Sequence, residues 1–523
     1  MKKLFFAAIA LVAMVGCDNS FNDVQNVPNG GDAALIKVNI KAAGDLTRAG
    51  APGEFKDGTD AENAVERVDF YFFDANGGAY AVDGAANGEN FISYKPNFKA
   101  ETEKNYIEEM SDIVLVIKGA KKQLPTQMIA IVNDPAAAAT KSKAQLEAAV
   151  LETLRDGNNN FVMSNSVYMD GAVKITATQI LPENIFTDTL GDAVQVPSTL
   201  VNVDVNPVDI YVERVAAAVE VKLAEGKKYD TGETYNNGKI YAEVLGWGVT
   251  NNTAEANLIK AIETNWTATE LGFEWNNTPF FRSYWAKTTA TPRHNLTFNA
   301  LKAHDVAYDY YFENTLDAAD ENSVVAGEGN QTPQLLVAAR LVDEDGNPIN
   351  LGQWFGVQYT IEDLKTVMVN TVVSKLFVKD GDTYVSVDKD DVVFYQMPDT
   401  TDDNRYEVKV TVKEGVNYFD AEGKALTTEA AHAILDAISP AKMYTTGYTY
   451  YYTNINHYGS ETGIVRNHWY EINLKAITGL GTPVYNPEHY IIPERPDEEE
   501  PAHLAAQINV LSWSLVQNNV TLN

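Results

Sequence analysis

The chain has 523 residues, with 72 Asp and Glu against 40 Lys and Arg, a formal net charge of −32. A surface this acidic repels phosphate backbones and anionic headgroups, which argues against nucleic acid as a partner. The length suits roughly two to four domains, and 45% hydrophobic content with 27 Tyr favours ordinary cores and β structure.

At the N-terminus, Lys2 and Lys3 precede an apolar run from Leu4 to Val15, followed by Gly16 and Cys17. This is the pattern of a secretory signal, residues 1–16, and it is too short to span a bilayer. Cys17 is the one cysteine, so no disulfide forms within a single chain. Met14-Val-Gly-Cys17 resembles a bacterial lipobox, in which the signal is cut before the cysteine and the thiol is acylated. The alternative is a plain signal peptide with an incidental cysteine. Acyl chains would hold the precursor on a membrane without a spanning helix.

Residues 18–32 are polar and read as a tether. Ile36, Val38 and Ile40 then alternate with polar residues, the period of a strand. The segment Gly44 to Gly53 follows, with Arg48 between small residues, where proteases cut. A strand isolated between two such segments can be removed as a unit.

Val65 to Phe73 reads as a strand ending in an Asp74-Ala-Asn-Gly turn. Ile113–Ile117 and Gln127–Val132 are fully apolar strands suited to a sandwich interior. Apolar spacing of three and four, with Gly157 beyond the end, predicts a helix over 144–155. A long strand pattern runs from Val208 to Lys222, and a domain boundary is placed at its start. Strand 239–249, a helix over 253–262 and the aromatic stretch Phe280–Trp285 come next. Asp343-Glu-Asp-Gly-Asn347 is a hairpin turn, and Thr360 and Thr427 open helices to 376 and 438. Residues 442–453 and 466–475 read as further strands. Many strands with a few short helices indicate a mainly β protein of two successive β-sandwiches.

Sites for chemistry are not evident. There is no nucleophile elbow, P-loop or dinucleotide fingerprint, and the seven histidines have no zinc spacing. The Asp343 loop resembles a calcium loop only briefly, because its twelfth position is Trp354 rather than Glu. No cofactor, no metal and no enzymatic activity are expected.

The C-terminal tail alternates again. Ile508 and Val510 share one face, Leu511, Trp513 and Leu515 the other, and Val520 and Leu522 return to the first. The parity change after Val510 needs a bulge or a break into two strands. Before it, Pro493 to Pro501 is charged and Pro-rich, an extended spacer. The tail reads equally as a strand that reaches another molecule and as an edge strand folding back in cis.

Tyr450–Asn456, the run Val465-Arg-Asn-His-Trp-Tyr-Glu-Ile-Asn-Leu-Lys-Ala-Ile477 and Gly479-Leu-Gly481 resemble the fimbrilins of Bacteroidales, in particular the shaft subunit of short fimbriae. The spacer and a terminal Val-x-x-Trp strand belong to the same pattern. Echoes further back are Ile129–Asp134, Val212–Val219, Thr47–Gly50 and the lipobox. Residues 230–440 match less well. The resemblance implies two tandem transthyretin-like β-sandwich domains, residues 49–207 and 208–490. It implies export as an outer-membrane lipoprotein through Cys17, and a propeptide, residues 17–48, removed by cleavage between Arg48 and Ala49. The groove left by the lost strand would receive residues 491–523 of another subunit, with Ile508, Val510, Leu511, Trp513, Leu515, Val520 and Leu522 as donor residues. Head-to-tail strand addition of this kind does not close and gives a filament, here a cell-surface fimbria (type V pilus) for adhesion and colonisation. Partners would be identical subunits, anchor and tip accessory proteins, and host or bacterial surface ligands. The competing expectations are an anchor or accessory subunit and a glycan-binding surface lipoprotein with an aromatic platform near Phe280–Trp285.

Overall fold

The structure, a computed structural model, describes residues 33–43, 58–82, 88–95, 99–100, 107–117, 124–188, 206–264, 285–290, 292–293, 296–316, 331–397, 407–457, 462–491, 504–511 and 517–519. Among them the chain is mainly β, with short helices.

The N-terminal half contributes β1 (Ala33–Ala43), β2 (Val68–Phe73), β3 (Phe91–Tyr94), β4 (Ile107–Ile117), β5 (Gln127–Val132), β6 (Met163–Asn165), β7 (Ile185–Asp188) and β8 (Val208–Arg214). They pair in the order β3-β2-β5-β6-β8-β1-β4, with β7 also on β1. Val68, Phe70 and Phe72 of β2 meet Met128, Ala130 and Val132 of β5 in one core. Their alternates, Tyr71, Phe73, Ile129 and Ile131, are buried in a second core. Both faces of these strands are therefore covered, which is why β5 reads as a continuous apolar run. What covers the second face includes Ala256, Leu258, Ile259, Ile262 and Phe312 from beyond residue 215, so the two halves share a core.

Among the described residues of this half are two α-helices, α1 (Asp60–Asn63) and α2 (Lys143–Glu147). α2 is capped by Ser142 and is shorter than the expected 144–155 helix. Its continuation is drawn out as Val150–Leu151, which pairs with Ala256–Asn257. The same pairing overturns the helix expected over 253–262: that segment is extended and lies against the N-terminal half. Tertiary pairing overrides a helical period in both places.

The strand pattern expected from 208 to 222 is split at Val215. β8 completes the N-terminal sheet, and β9 (Ala216–Tyr235) opens the next. The C-terminal half continues with β10 (Gly238–Thr250), β11 (Tyr308–Phe312) and β12 (Gln334–Val342). Residues 218–223 of β9 run parallel to a late strand, Trp469–Ile477, while residues 228–235 pair with β10. Gly226 lies between the two stretches at φ +76, a conformation that favours glycine. β9 thus enters both layers, and its Val219, Val221 and Tyr229 fill one core with Val244, Trp247 and Val337.

The largest departure from the expected two-sandwich layout follows β12. Residues 351–444 form a five-stranded sheet of β13 (Leu351–Trp354), β14 (Val357–Tyr359), β15 (Val392–Met397), β16 (Glu407–Val412) and β17 (Ala441–Tyr444), in the order β14-β13-β17-β16-β15. Helices α3 (Ile361–Asn370) and α4 (Thr428–Leu435), capped by Thr360 and Thr427, contribute Leu364, Met368, Val369, Ala431 and Leu435 to a core of its own. The single strand expected over 442–453 breaks at Gly447, φ +71. Its first part is β17 of the insert. Its second, β18 (Tyr448–Asn454), returns to β12, followed by β19 (Trp469–Ile477), β20 (Leu504–Leu511) and β21 (Gln517–Asn519).

Candidate assembly site

β1 is first in the described chain but lies inside the sheet. One flank runs antiparallel to β4 from Ala34↔Ile117 to Ala43↔Ile107. The other is divided between β7, antiparallel at residues 33–36, and β8, parallel at residues 38–42. Ile36 and Val38 are fully buried among Val68, Phe70, Leu115, Val208 and Ile210. Burying one such side chain contributes about 2 kcal/mol. Taking β1 out would expose that core and leave β4 and β8 with unpaired backbone groups facing each other.

The tail occupies the other end of the chain's architecture. β20 lies antiparallel on β19, with Trp469↔Leu511, Tyr470↔Val510 and Ile472↔Ile508 in register. β21 returns antiparallel on β20. Of the two readings open in the sequence, this conformer holds residues 504–511 as an edge pair in cis. Trp513, Leu515, Val520 and Leu522 lie outside the described residues, as do Cys17, Arg48 and Ala49.

Between the two seats is a buried polar junction that sequence reasoning did not find. β8 passes into β9 through Val215 alone. Beside it, Arg214 donates to the Glu62 carbonyl at 3.1 Å and to Asn63 and Asn467 Oδ1. Arg466, fully buried, forms a two-pronged pair with the Glu313 carboxylate and donates to the Leu258 and Asn257 carbonyls at 3.2 and 2.6 Å. Lys260 and Glu213 form a second ion pair at 3.8 Å, with no side-chain exposure on either. Tyr310 donates to Glu62 at 2.6 Å. Burial works to raise the Glu62 pKa, but hydrogen bonds from Tyr310 and Thr59 outweigh it and hold the carboxyl below its ordinary value. The only sequence signal for this junction was the Val-Arg-Asn-His-Trp-Tyr run itself.

Tyr470 accepts the Val465 N–H at 2.7 Å, and its hydroxyl shares a hydrogen bond of 2.8 Å with His457 Nδ1. Burial pushes the His457 pKa far down, helped by His468 and Lys260. Trp285 packs on His457, with ring centroids 5.4 Å apart, and is 8% exposed. This end of the expected aromatic platform is therefore core. The Asp343 carboxylate accepts from the backbone and side chain of Asn347, and no cluster of three metal-ligating side chains occurs among the described residues.

Residues 442–519 match the model of a protein family described as major fimbrial subunit protein type IV, fimbrillin, C-terminal. That region belongs to the fimbrillins. It contains β18, β19, Arg466 of the junction and the tail strand, the parts that carry the resemblance. No curated protein matches the chain. Among solved structures, a C-terminally truncated tip fimbrial protein, Mfa3 from Porphyromonas gingivalis, is similar at 12% identity and TM-score 0.33, covering 92% of this chain and all of the other. A putative cell adhesion protein from Bacteroides eggerthii is similar at 10% identity and TM-score 0.32, covering 94% and 98%. The match to a fimbrial subunit family covers the C-terminal region, from β18 through the tail strand.

Proposed function

We propose that the protein is the shaft subunit of a cell-surface fimbria, delivered as a lipoprotein through Cys17 and activated by cleavage after Arg48. Loss of β1 opens a groove between β4 and β8, and the tail of the next subunit leaves its own β19 edge to fill it. The observation that carries this reading is the seat of β1: an N-terminal strand paired on both flanks, with Ile36 and Val38 buried, ahead of a segment that contains a cuttable arginine. Ile508 and Val510 share a face at the spacing of Ile36 and Val38, so the tail offers the same two-residue period. The groove exposes apolar side chains and two open edges, which favours strand addition. A tail that can donate argues for a shaft role rather than a cap.

The test is a peptide of residues 504–523 added to uncleaved and trypsin-cleaved protein. Binding by the cleaved form alone, with blocked filament growth, is the expected result. A peptide that binds neither form, or filaments that retain residues 18–48, would overturn the reading.

A further inference from the structure

The insert between β12 and β18 presents a surface that strand exchange does not use. Its sheet has two ends. At one end β14 leans on the C-terminal half, where Gln358 donates to Glu233 at 2.9 Å. At the other end is β15, Val-Val-Phe-Tyr-Gln-Met, six residues without a charge. One flank of β15 pairs with β16 along its whole length. Among the described residues nothing pairs with the other flank. Long, flat, apolar edges are what proteins normally shield with lysines, prolines or bulges. Val393 projects from this edge strand with 38% exposure.

The surroundings of the edge say what can approach it. A groove of about 370 Å³ runs beside β15, lined by Val393 and Phe394 and by Lys365, Lys389, Lys413, Glu362 and Asp390. Lys389 reaches Glu362 at 2.8 Å and Asp390 at 3.3 Å, and Lys413 donates to the Asp390 carbonyl at 2.6 Å. In a chain of net charge −32, two copies repel across most pairs of faces. Here both signs stand together beside an open strand. A two-fold contact places the same patch on both copies, so the lysines of one meet the carboxylates of the other while the edges pair antiparallel.

We infer that β15 and its charged groove form a self-complementary contact with β15 of a second copy of this chain, which joins molecules side by side. This contact is independent of Arg48 cleavage and of the tail, so its test uses the uncleaved protein. The full chain carrying Cys17→Ser, which has no cysteine, takes either Tyr395→Cys on β15 or Val173→Cys on an exposed strand of the N-terminal half. Under mild oxidation the Tyr395→Cys chain is expected to give a disulfide-linked dimer and the Val173→Cys chain to remain single. In sedimentation, wild type should show a concentration-dependent dimer, and Val393→Lys should abolish it with an unchanged melting midpoint. Wild type that stays monomeric, equal cross-linking at both positions, or a dimer that survives Val393→Lys would overturn the inference. None of these outcomes bears on the peptide test of strand exchange.

Discussion

One five-residue turn occurs four times among the described residues and shows how local chemistry sets the hairpins. In turns opening at Asp74, Asp156, Asp343 and Asp420, the aspartate Oδ1 accepts the N–H four residues on, at 2.8–2.9 Å. The residue before that one has positive φ: Gly77 at 79°, Asn159 at 69°, Gly346 at 88° and Gly423 at 77°. The Asp343 carboxylate is held below its usual range by hydrogen bonds from the Asn347 side chain and backbone. Gly346→Ala should lower stability by about 1 kcal/mol, because a Cβ is strained in that conformation; an unchanged urea midpoint would contradict it. His457 supplies a pH prediction. Its folded pKa lies well below the ordinary value of about 6.5, so the folded state binds fewer protons than the unfolded chain under mild acid. Its contribution is complete above that value and is lost as pH falls below it. Chemical denaturation midpoints should therefore decline below about pH 6.5. His457→Gln, which keeps a polar partner for Tyr470, should flatten that decline; equal slopes for both proteins would assign it to other groups.

At the scale of elements, the strongest local signals survived and the periodic ones near the junction did not. Thr360 caps α3 as its place before Asp363 suggests, and Thr427 caps α4, the helix expected from that residue. The alternation of Ile36 and Val38 gave a strand with that face buried. The 144–155 period failed because Leu151 is needed in a strand against Ala256, more than a hundred residues away. The split at Val215 was equally hidden, since the alternation barely changes while the sheet does. The junction could not be read from the sequence because Arg466 finds its carboxylate at Glu313, 153 residues earlier. Breaking a buried pair strands a charge, so Arg466→Met should cost about 3–5 kcal/mol. Adding Glu313→Gln to that variant should restore part of the loss. If the double variant is as unstable as the sum of the two singles, the pair is not the coupled unit described.

For the whole molecule, the arrangement of cores decides what can be separated. The N- and C-terminal halves share the core built on Ile129, Leu146, Leu258 and Phe312, so they should unfold together rather than as independent sandwiches. The insert differs. Its core is its own, and its ends leave β12 and enter β18 where Arg340 is paired with Tyr448 in register. A short Gly-Ser turn can replace residues 343–446 between two strands that are already neighbours. The replacement gives up Leu351 and Tyr444, which pack with Ile240, Leu341 and Leu480, and the bond from Tyr444 to the Gly481 carbonyl at 2.7 Å. The shortened protein should therefore melt at a lower temperature but in one cooperative transition. It should still form filaments after cleavage, because neither β1 nor the tail strand touches the insert's sheet in the strand pairing. It should lose side-by-side dimerisation, because β15 is gone. Calorimetry and electron microscopy of cleaved material read these outcomes separately. A chain that no longer folds cooperatively would show that the insert is part of the C-terminal core, and filaments lost from a well-folded chain would show that assembly needs the insert.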